Sequence, residues 1–152
     1  MDKQIEKLLN DQLALEYESS YVYLSMAAYF EHLDYQGFAH WMKCQSKEEM
    51  AHFHKIFDFI FERNGMVHLG QVKAPNIHYK DVLNVFETSL KQEQKVTASI
   101  HNIYEKALHL KAYASLTFLN WFIEEQVEEE AEVTQIVREI ERVKSNESAM
   151  LM

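Results

Sequence analysis

The stretch FAHWMKCQSKEEMAHFHKIFDF at residues 38–59 returns to one face every three or four residues, the spacing of a buried helical stripe. This stripe is apolar at both ends and polar in the middle. Its members are Phe38, Met42, Gln45, Glu49, His52, Ile56 and Phe59. The pattern predicts a helix that packs inside a bundle and carries ionisable groups halfway along its buried face.

Three other segments show the same spacing and the same change from apolar to polar and back. Their stripes are Ile5, Leu9, Gln12, Glu16, Ser20, Tyr23, Ala27 and Phe30; Val82, Phe86, Ser89, Glu93, Val96, Ile100 and Ile103; and Leu119, Phe122, Gln126, Glu129, Val133, Ile136 and Ile140. Only three Gly and one Pro interrupt the chain, which favours long helices. We therefore predict an all-α fold, a four-helix bundle.

Turn-forming residues set the limits of these helices, with Asp2 as the first cap. We expect helices from Lys3 to Leu33, Gln36 to Arg63, Asp81 to Leu108 and Ala112 to Val143. The segment from Met66 to Tyr79 shows no sustained period and is predicted to be one long crossover, which makes helices two and three parallel. The last residues form a short C-terminal segment, and residues 1–152 are expected to form a single domain.

Charge and composition restrict the possible partners. The formal net charge of −9 argues against nucleic acid as a partner and favours cations. No apolar run is long enough to span a membrane, and no signal segment is apparent. Cys44 is the single cysteine and has no partner for a disulfide. We expect a cytoplasmic protein.

The polar residues of the four stripes fall close to the midpoints of their helices, and midpoints coincide whichever way the helices run. Glu16, Glu49, Glu93 and Glu129 should therefore meet, together with His52 and Gln126. No Lys or Arg interrupts these stripes, so metal ions are the expected neutralising charges. Carboxylate oxygens with one imidazole suit iron or manganese better than zinc.

Several short motifs resemble those of the non-haem bacterial ferritins, in the ferritin-like di-iron carboxylate family. They are Leu15-Glu16 followed by Tyr23, then Glu48-Glu49-Met50-Ala51-His52, Glu93-Gln94, and Glu125-Gln126-Val127-Glu128-Glu129-Glu130. The resemblance covers about Ile5 to Val143 and implies the ferritin-like fold.

The same resemblance implies a ferroxidase centre, at which iron is oxidised from Fe(II) to Fe(III) by O2 or peroxide. Glu16, Glu49 and His52 would hold one iron, and Glu49, Glu93 and Glu129 the other. Gln126 would lie beside the pair. Tyr23 would be a nearby phenol able to give an electron.

The resemblance further implies a third iron site and a shell. The third iron would lie at Glu48, Glu125 and Glu128, with Glu129 shared. Twenty-four copies of the chain would enclose stored ferric mineral. Relatives usually continue into a fifth helix that lines the four-fold channels, whereas this sequence stops at Met152, so the resemblance does not extend to the structure of the channels.

Three other functions remain as alternatives. A bacterioferritin would bind haem through a methionine at the position of Met50, but it usually carries a second Glu-x-x-His on the fourth helix, where this chain has Gln126-x-x-Glu129; we expect no haem. A di-iron oxygenase would act on an organic substrate. A shell that only sequesters iron would not oxidise it.

Trp121 is expected to serve in packing.

Overall fold

The computed structural model describes residues 1–144 and consists there of four α-helices without a strand. The helices are α1 (Lys3–His32), α2 (Gln36–Glu62), α3 (Val82–His109) and α4 (Tyr113–Lys144). Each end lies within one residue of its predicted position, and the all-α prediction is confirmed. Residues 145–152 lie outside the described part, and so do the predictions about the C-terminal segment and the missing fifth helix. A single domain over 1–152 stays a prediction.

Side-chain caps begin two of the helices. The Asp2 carboxylate accepts hydrogen bonds from the backbone N–H groups of Gln4 and Ile5, as predicted for the first cap. The Asp81 carboxylate accepts from the N–H of Asn84 at 2.8 Å. Each cap satisfies amide groups that the first turn of a helix leaves without partners.

Left-handed residues end three of the helices. Asp34, Asn64 and Lys111 have φ values of 61°, 59° and 55°. In each case the next residue donates its N–H back to the carbonyl five positions earlier, as from Gly65 to Ile60 at 2.8 Å. This is the Schellman arrangement, which usually places glycine at the left-handed position. In this protein the left-handed position is occupied by three residues other than glycine.

Contacts between the helices establish their directions. Along α1 and α2, Ser20 pairs with Ser46, and Met1 reaches Arg63, so these helices are antiparallel. Along α1 and α3, Tyr23 pairs with Ser89 and Gln12 with Ser99, so these are antiparallel as well. It follows that α2 and α3 are parallel, as predicted.

The crossover at residues 63–81 runs along α1 and is fixed to it by hydrogen bonds. The Asn10 amide donates to the Met66 carbonyl at 2.9 Å and accepts from the His68 N–H at 2.6 Å. Farther along, the Ser25 hydroxyl donates to the Asn76 carbonyl. Residues 66–79 contain no regular element, which confirms the predicted loop.

The buried apolar residues form two clusters at opposite ends of the bundle. One contains Ile5, Leu9, Ile56, Ile100 and Leu119, and the other contains Met26, Phe30, Met42, Phe86 and Ile140. A layer of buried polar residues lies between them. No helix in the described part is long and apolar enough to cross a membrane.

We predict that Gly65→Ala lowers the melting temperature. An added Cβ would lie 2.9 Å from Ile60 Cγ2 and 3.0 Å from both the Ile60 carbonyl oxygen and Glu6 Oε1. Such overpacking typically costs about 1–3 kcal/mol. Gly70→Ala is the matched control, because no atom lies within 4 Å of its added Cβ. Equal melting temperatures for the two variants, measured by circular dichroism, would contradict this account.

Candidate metal centre

The middle of the bundle contains one buried glutamate from each of α1, α3 and α4, and a buried glutamate and histidine from α2. Exposed fractions are 0% for Glu16, Glu49 and Glu93, and 3% for His52 and Glu129. Each residue occupies the stripe position that periodicity assigned to it. Gln126 is also buried in this layer, at 3%.

Two groups of potential ligand atoms share the Glu49 carboxylate. The first cluster consists of Glu16, Glu49 and His52, and the second of Glu49, Glu93 and Glu129. Within each cluster the ligand atoms lie within 4.8 Å of one another. His52 Nδ1 is 3.7 Å from Glu16 Oε2 and 3.4 Å from Glu49 Oε2. Two adjacent cations joined by Glu49 fit this arrangement.

Six buried polar atoms of the two clusters have no hydrogen-bond partner within residues 1–144. They are Glu16 Oε2, both oxygens of Glu49, His52 Nδ1 and both oxygens of Glu93. The only cationic group that pairs with these carboxylates in the described part is His52. Buried polar atoms are nearly always satisfied, so this concentration of atoms without partners makes the layer a candidate site that could hold metal ions.

Burial and repulsion between neighbouring charges favour the protonated forms of Glu49, Glu93 and Glu129. Burial, followed by the charges of Glu16 and Glu93, raises the pKa of Glu49 well above its ordinary value. Burial raises the pKa of Glu93 to about 7. Burial and the charge of Glu93 raise the pKa of Glu129 to about 9. A metal ion would therefore displace protons when it binds.

The imidazole of His52 experiences opposing influences. Burial lowers the pKa of His52, but contact with Glu16 and the charges of Glu16 and Glu125 outweigh it, so the net shift is upward. The ring is packed edge-on against Trp121, with centroids 5.3 Å apart. Lys55 Nζ lies 3.9 Å from the centroid of the Trp121 ring. Trp121 therefore packs directly on a candidate ligand.

Tyr23 lies beside the second cluster. Its hydroxyl is 2.9 Å from Ser89 Oγ, and its side chain is fully buried. Burial, followed by the charges of Glu93 and Glu49, raises the pKa of Tyr23 well above its ordinary value. The phenol therefore stays protonated next to the carboxylates.

Gln126 faces α3. Its amide nitrogen donates to the Glu93 carbonyl at 3.2 Å and to Thr97 Oγ1 at 3.1 Å. The nitrogen is thus committed to α3 and not to a carboxylate of the clusters.

The three residues expected to hold a third iron have different positions. Glu125 forms a third cluster with His52 and Glu129, whose ligand atoms again lie within 4.8 Å. Glu48 is exposed. Its charge helps to raise the pKa of Glu129, although burial and the charge of Glu93 are larger causes. Glu128 is exposed and belongs to none of the three clusters found in residues 1–144.

Met50, the residue considered for haem, is half-buried and packs against the apolar cluster that contains Ile56. The absence of haem stays a prediction.

Sequence reasoning assigned no role to two buried glutamines that contact the carboxylates. Gln12 Nε2 donates to Glu16 Oε1, and Gln45 Nε2 donates to Glu129 Oε2, both at 3.0 Å. Both residues lie on the predicted inward stripes. The contact of Gln12 could have been predicted, because Gln12 lies one helical turn before Glu16 on the same buried face. The contact of Gln45 joins α2 to α4, and spacing within one helix does not predict it.

A bundle with one long crossover and carboxylate–imidazole clusters at its middle defines the ferritin-like class. A family model described as "Ferritin-like domain" matches residues 6–143. The chain therefore belongs to the ferritin family of iron storage proteins. The resemblance noted in the sequence is confirmed.

Individual relatives resemble the chain over most of its length. A bacterial non-heme ferritin from Staphylococcus aureus (strain MRSA252) is 38% identical over 100% of this chain and 92% of its own. One from Staphylococcus epidermidis is 41% identical over 86% of this chain and 79% of its own. The solved open pore ferritin from the archaeon Archaeoglobus fulgidus is 38% identical, with a TM-score of 0.97, over 99% of this chain and 92% of that one.

We predict that the metal-free protein becomes less stable as pH rises between about 5 and 9. The fold favours protonated Glu93 and Glu129, and this contribution is lost as pH rises through pKa values of about 7 and about 9. The raised pKa of His52 acts in the same direction. Melting temperatures of chelator-treated protein across this range measure the effect.

Two comparisons test the cause of this pH dependence. Zn(II) should flatten it, because a cation stabilises the ionised carboxylates. Glu129→Gln should show a weaker dependence than the parent, because the amide does not ionise. A melting temperature that rises with pH in the metal-free parent would contradict the assignment.

Proposed function

We propose that this chain is a ferroxidase subunit, which oxidises Fe(II) with O2 at the first and second clusters and delivers Fe(III) for storage. The observation that carries the proposal is the set of six unpartnered ligand atoms on Glu16, Glu49, His52 and Glu93. Family membership supports iron as the metal. The site residues proposed as ligands are those predicted from the sequence.

The two clusters would divide the work between two Fe(II) ions. Glu16 and His52 would bind one ion, Glu93 and Glu129 the other, and Glu49 would bridge them. Each Fe(II) gives one electron, and O2 takes up two electrons and two protons to form peroxide. Because the raised pKa values of Glu49, Glu93 and Glu129 keep protons at the empty site, metal binding would release them beside the place of reduction.

Tyr23 and Gln126 would act from beside the ions. Tyr23 would be the nearby phenol able to give an electron, and Ser89 is the hydrogen-bond partner of its hydroxyl. Gln126 would hold the α3 backbone at Glu93 through its bond to the Glu93 carbonyl. Peroxide as an alternative oxidant and the cytoplasmic location stay predictions.

We propose further that twenty-four chains assemble into a hollow shell. An outward face of α1 carries Tyr17, Tyr21 and Leu24, with exposed fractions of 43%, 46% and 51%. These residues are spaced as one helical face, so they form a patch that association would cover. A charge of −9 on every chain would draw Fe(II) towards such a shell.

We predict that Glu49→Ala abolishes rapid Fe(II) oxidation, since both ions lose a ligand. Losses at single outer-shell partners of metal sites are about 10–100-fold, and loss of the bridge should be at least as large. Fe(II) is added in air, and oxygen uptake and absorbance are recorded together. Glu62→Ala, an exposed glutamate at the end of the same helix, is the control.

Light scattering measures the mass of the assembly, which must be the same for the parent, the variant and the control. The expected assembly contains twenty-four chains of 18.0 kDa each. Rapid oxidation that persists in Glu49→Ala would place the reaction elsewhere. Oxygen uptake that requires an added organic substrate would favour the oxygenase alternative.

We propose that a third iron binds beside the pair, held mainly by Glu125 and Glu129, with Glu48 and Glu128 at the solvent side. The third cluster supports Glu125. We predict that changing Glu48, Glu125 and Glu128 to Ala preserves fast oxidation of the first two Fe(II) but alters the oxygen stoichiometry. Glu125→Ala alone should produce most of this change, and Glu128→Ala little.

Crystals soaked in Fe(II) test the position directly. An anomalous peak beside Glu125, in addition to the pair, is expected in the parent and not in the triple variant. An occupied pair without this peak in the parent would refute the third site.

A further inference from the structure

Two glutamine side chains lie inside the carboxylate layer without belonging to a ligand cluster. Gln12 on α1 is 0% exposed and Gln45 on α2 is 4% exposed. Each donates its amide N–H to a single oxygen of a single carboxylate, Gln12 to Glu16 Oε1 and Gln45 to Glu129 Oε2, at 3.0 Å. Each of the two clusters therefore includes one carboxylate that is tied by a glutamine.

The four carboxylates consequently differ in the number of oxygens they offer. Both oxygens of Glu49 and both oxygens of Glu93 lack a hydrogen-bond partner in the described chain. In Glu16 only Oε2 lacks one. Glu129 has Oε2 occupied by Gln45. Glu49 and Glu93 can use both oxygens on metal, whereas Glu16 and Glu129 retain one oxygen each.

The orientation of the Gln12 amide is itself fixed. The Glu16 carboxylate can only accept, so the Gln12 nitrogen faces it, and Gln12 Oε1 accepts a hydrogen bond from Ser99 Oγ on α3 at 2.5 Å. A flipped amide could still donate to the Ser99 hydroxyl oxygen, but it would turn its own oxygen towards the Glu16 carboxylate and lose the bond to Glu16. The chain from Ser99 through Gln12 to Glu16 thus links α3 to the first cluster.

We propose that Gln12 and Gln45 are positioning residues, each holding one oxygen of a cluster carboxylate so that only the other oxygen is left for metal. This inference rests on the proposed di-iron function. Gln12 acts on Glu16 and so on the first cluster, and Gln45 acts on Glu129 and so on the second. Partners of this kind orient ligands and commonly change metal affinity by about 10–100-fold.

The test is a reciprocal loss of binding with Zn(II) as the probe. Crystals of the parent, Gln12→Met and Gln45→Met are equilibrated over a series of Zn(II) concentrations, and anomalous peak heights are measured at each cluster. Methionine preserves length but removes the donor. We expect an affinity loss of about 10–100-fold at the first cluster only in Gln12→Met, and at the second cluster only in Gln45→Met.

Gln92→Met is the matched control, because Gln92 makes the same kind of bond to a carboxylate outside the clusters. Its Nε2 donates to Glu18 Oε2 at 3.1 Å and to Ser19 Oγ at 2.9 Å. Both clusters should fill in this variant as in the parent.

Ser99→Ala is a milder variant that keeps the glutamine, and it should weaken Zn(II) binding at the first cluster alone.

The outcomes separate this inference from the function on which it rests. A parent without Zn(II) at either cluster would overturn both. A parent with both clusters filled, together with Gln12→Met and Gln45→Met variants that fill equally well, would overturn the positioning role alone. Equal weakening of both clusters by each variant would also overturn it, since a general loss of packing produces that result.

Discussion

The burial of four glutamates at one level, with His52 as their only cationic partner in residues 1–144, is the constraint on which this structure depends. Ionised carboxylates in such surroundings repel one another and lose hydration, so the layer exists either with protons or with cations. Glu49, whose two oxygens both lack partners, lies at the centre of this conflict. The capacity of the layer to take up protons or cations and its local instability therefore have the same origin.

The length of the helices follows from this layer. A polar level does not hold a bundle together, so apolar packing must extend on both sides of it. The helices contain 27 to 32 residues each, which leaves several turns for each of the two apolar clusters. Bonds such as that from Gln45 to Glu129 join the helices within the layer, so the polar level contributes order although it costs solvation.

Much of the fold and of the site could be predicted because periodicity encodes burial. The spacing between Glu49 and His52 and the position of each helix midpoint were sufficient to predict that these buried side chains lie together. Other features depend on three-dimensional relations that spacing does not contain. The left-handed conformation of Lys111 contradicts the usual preference for glycine, and the bond from Gln45 crosses between helices. Glu128 shares a helical face with Glu125, yet a modest difference in direction leaves it in solvent.

The contact between Trp121 and His52 also has an optical consequence. The chain contains two tryptophans, and Trp41 packs near Tyr23 and Phe86, away from the imidazole. Trp121 instead has its ring edge-on to His52 and the Lys55 ammonium over its face. Indole emission responds to nearby charge, so a cation bound beside His52 would be expected to change the fluorescence of Trp121.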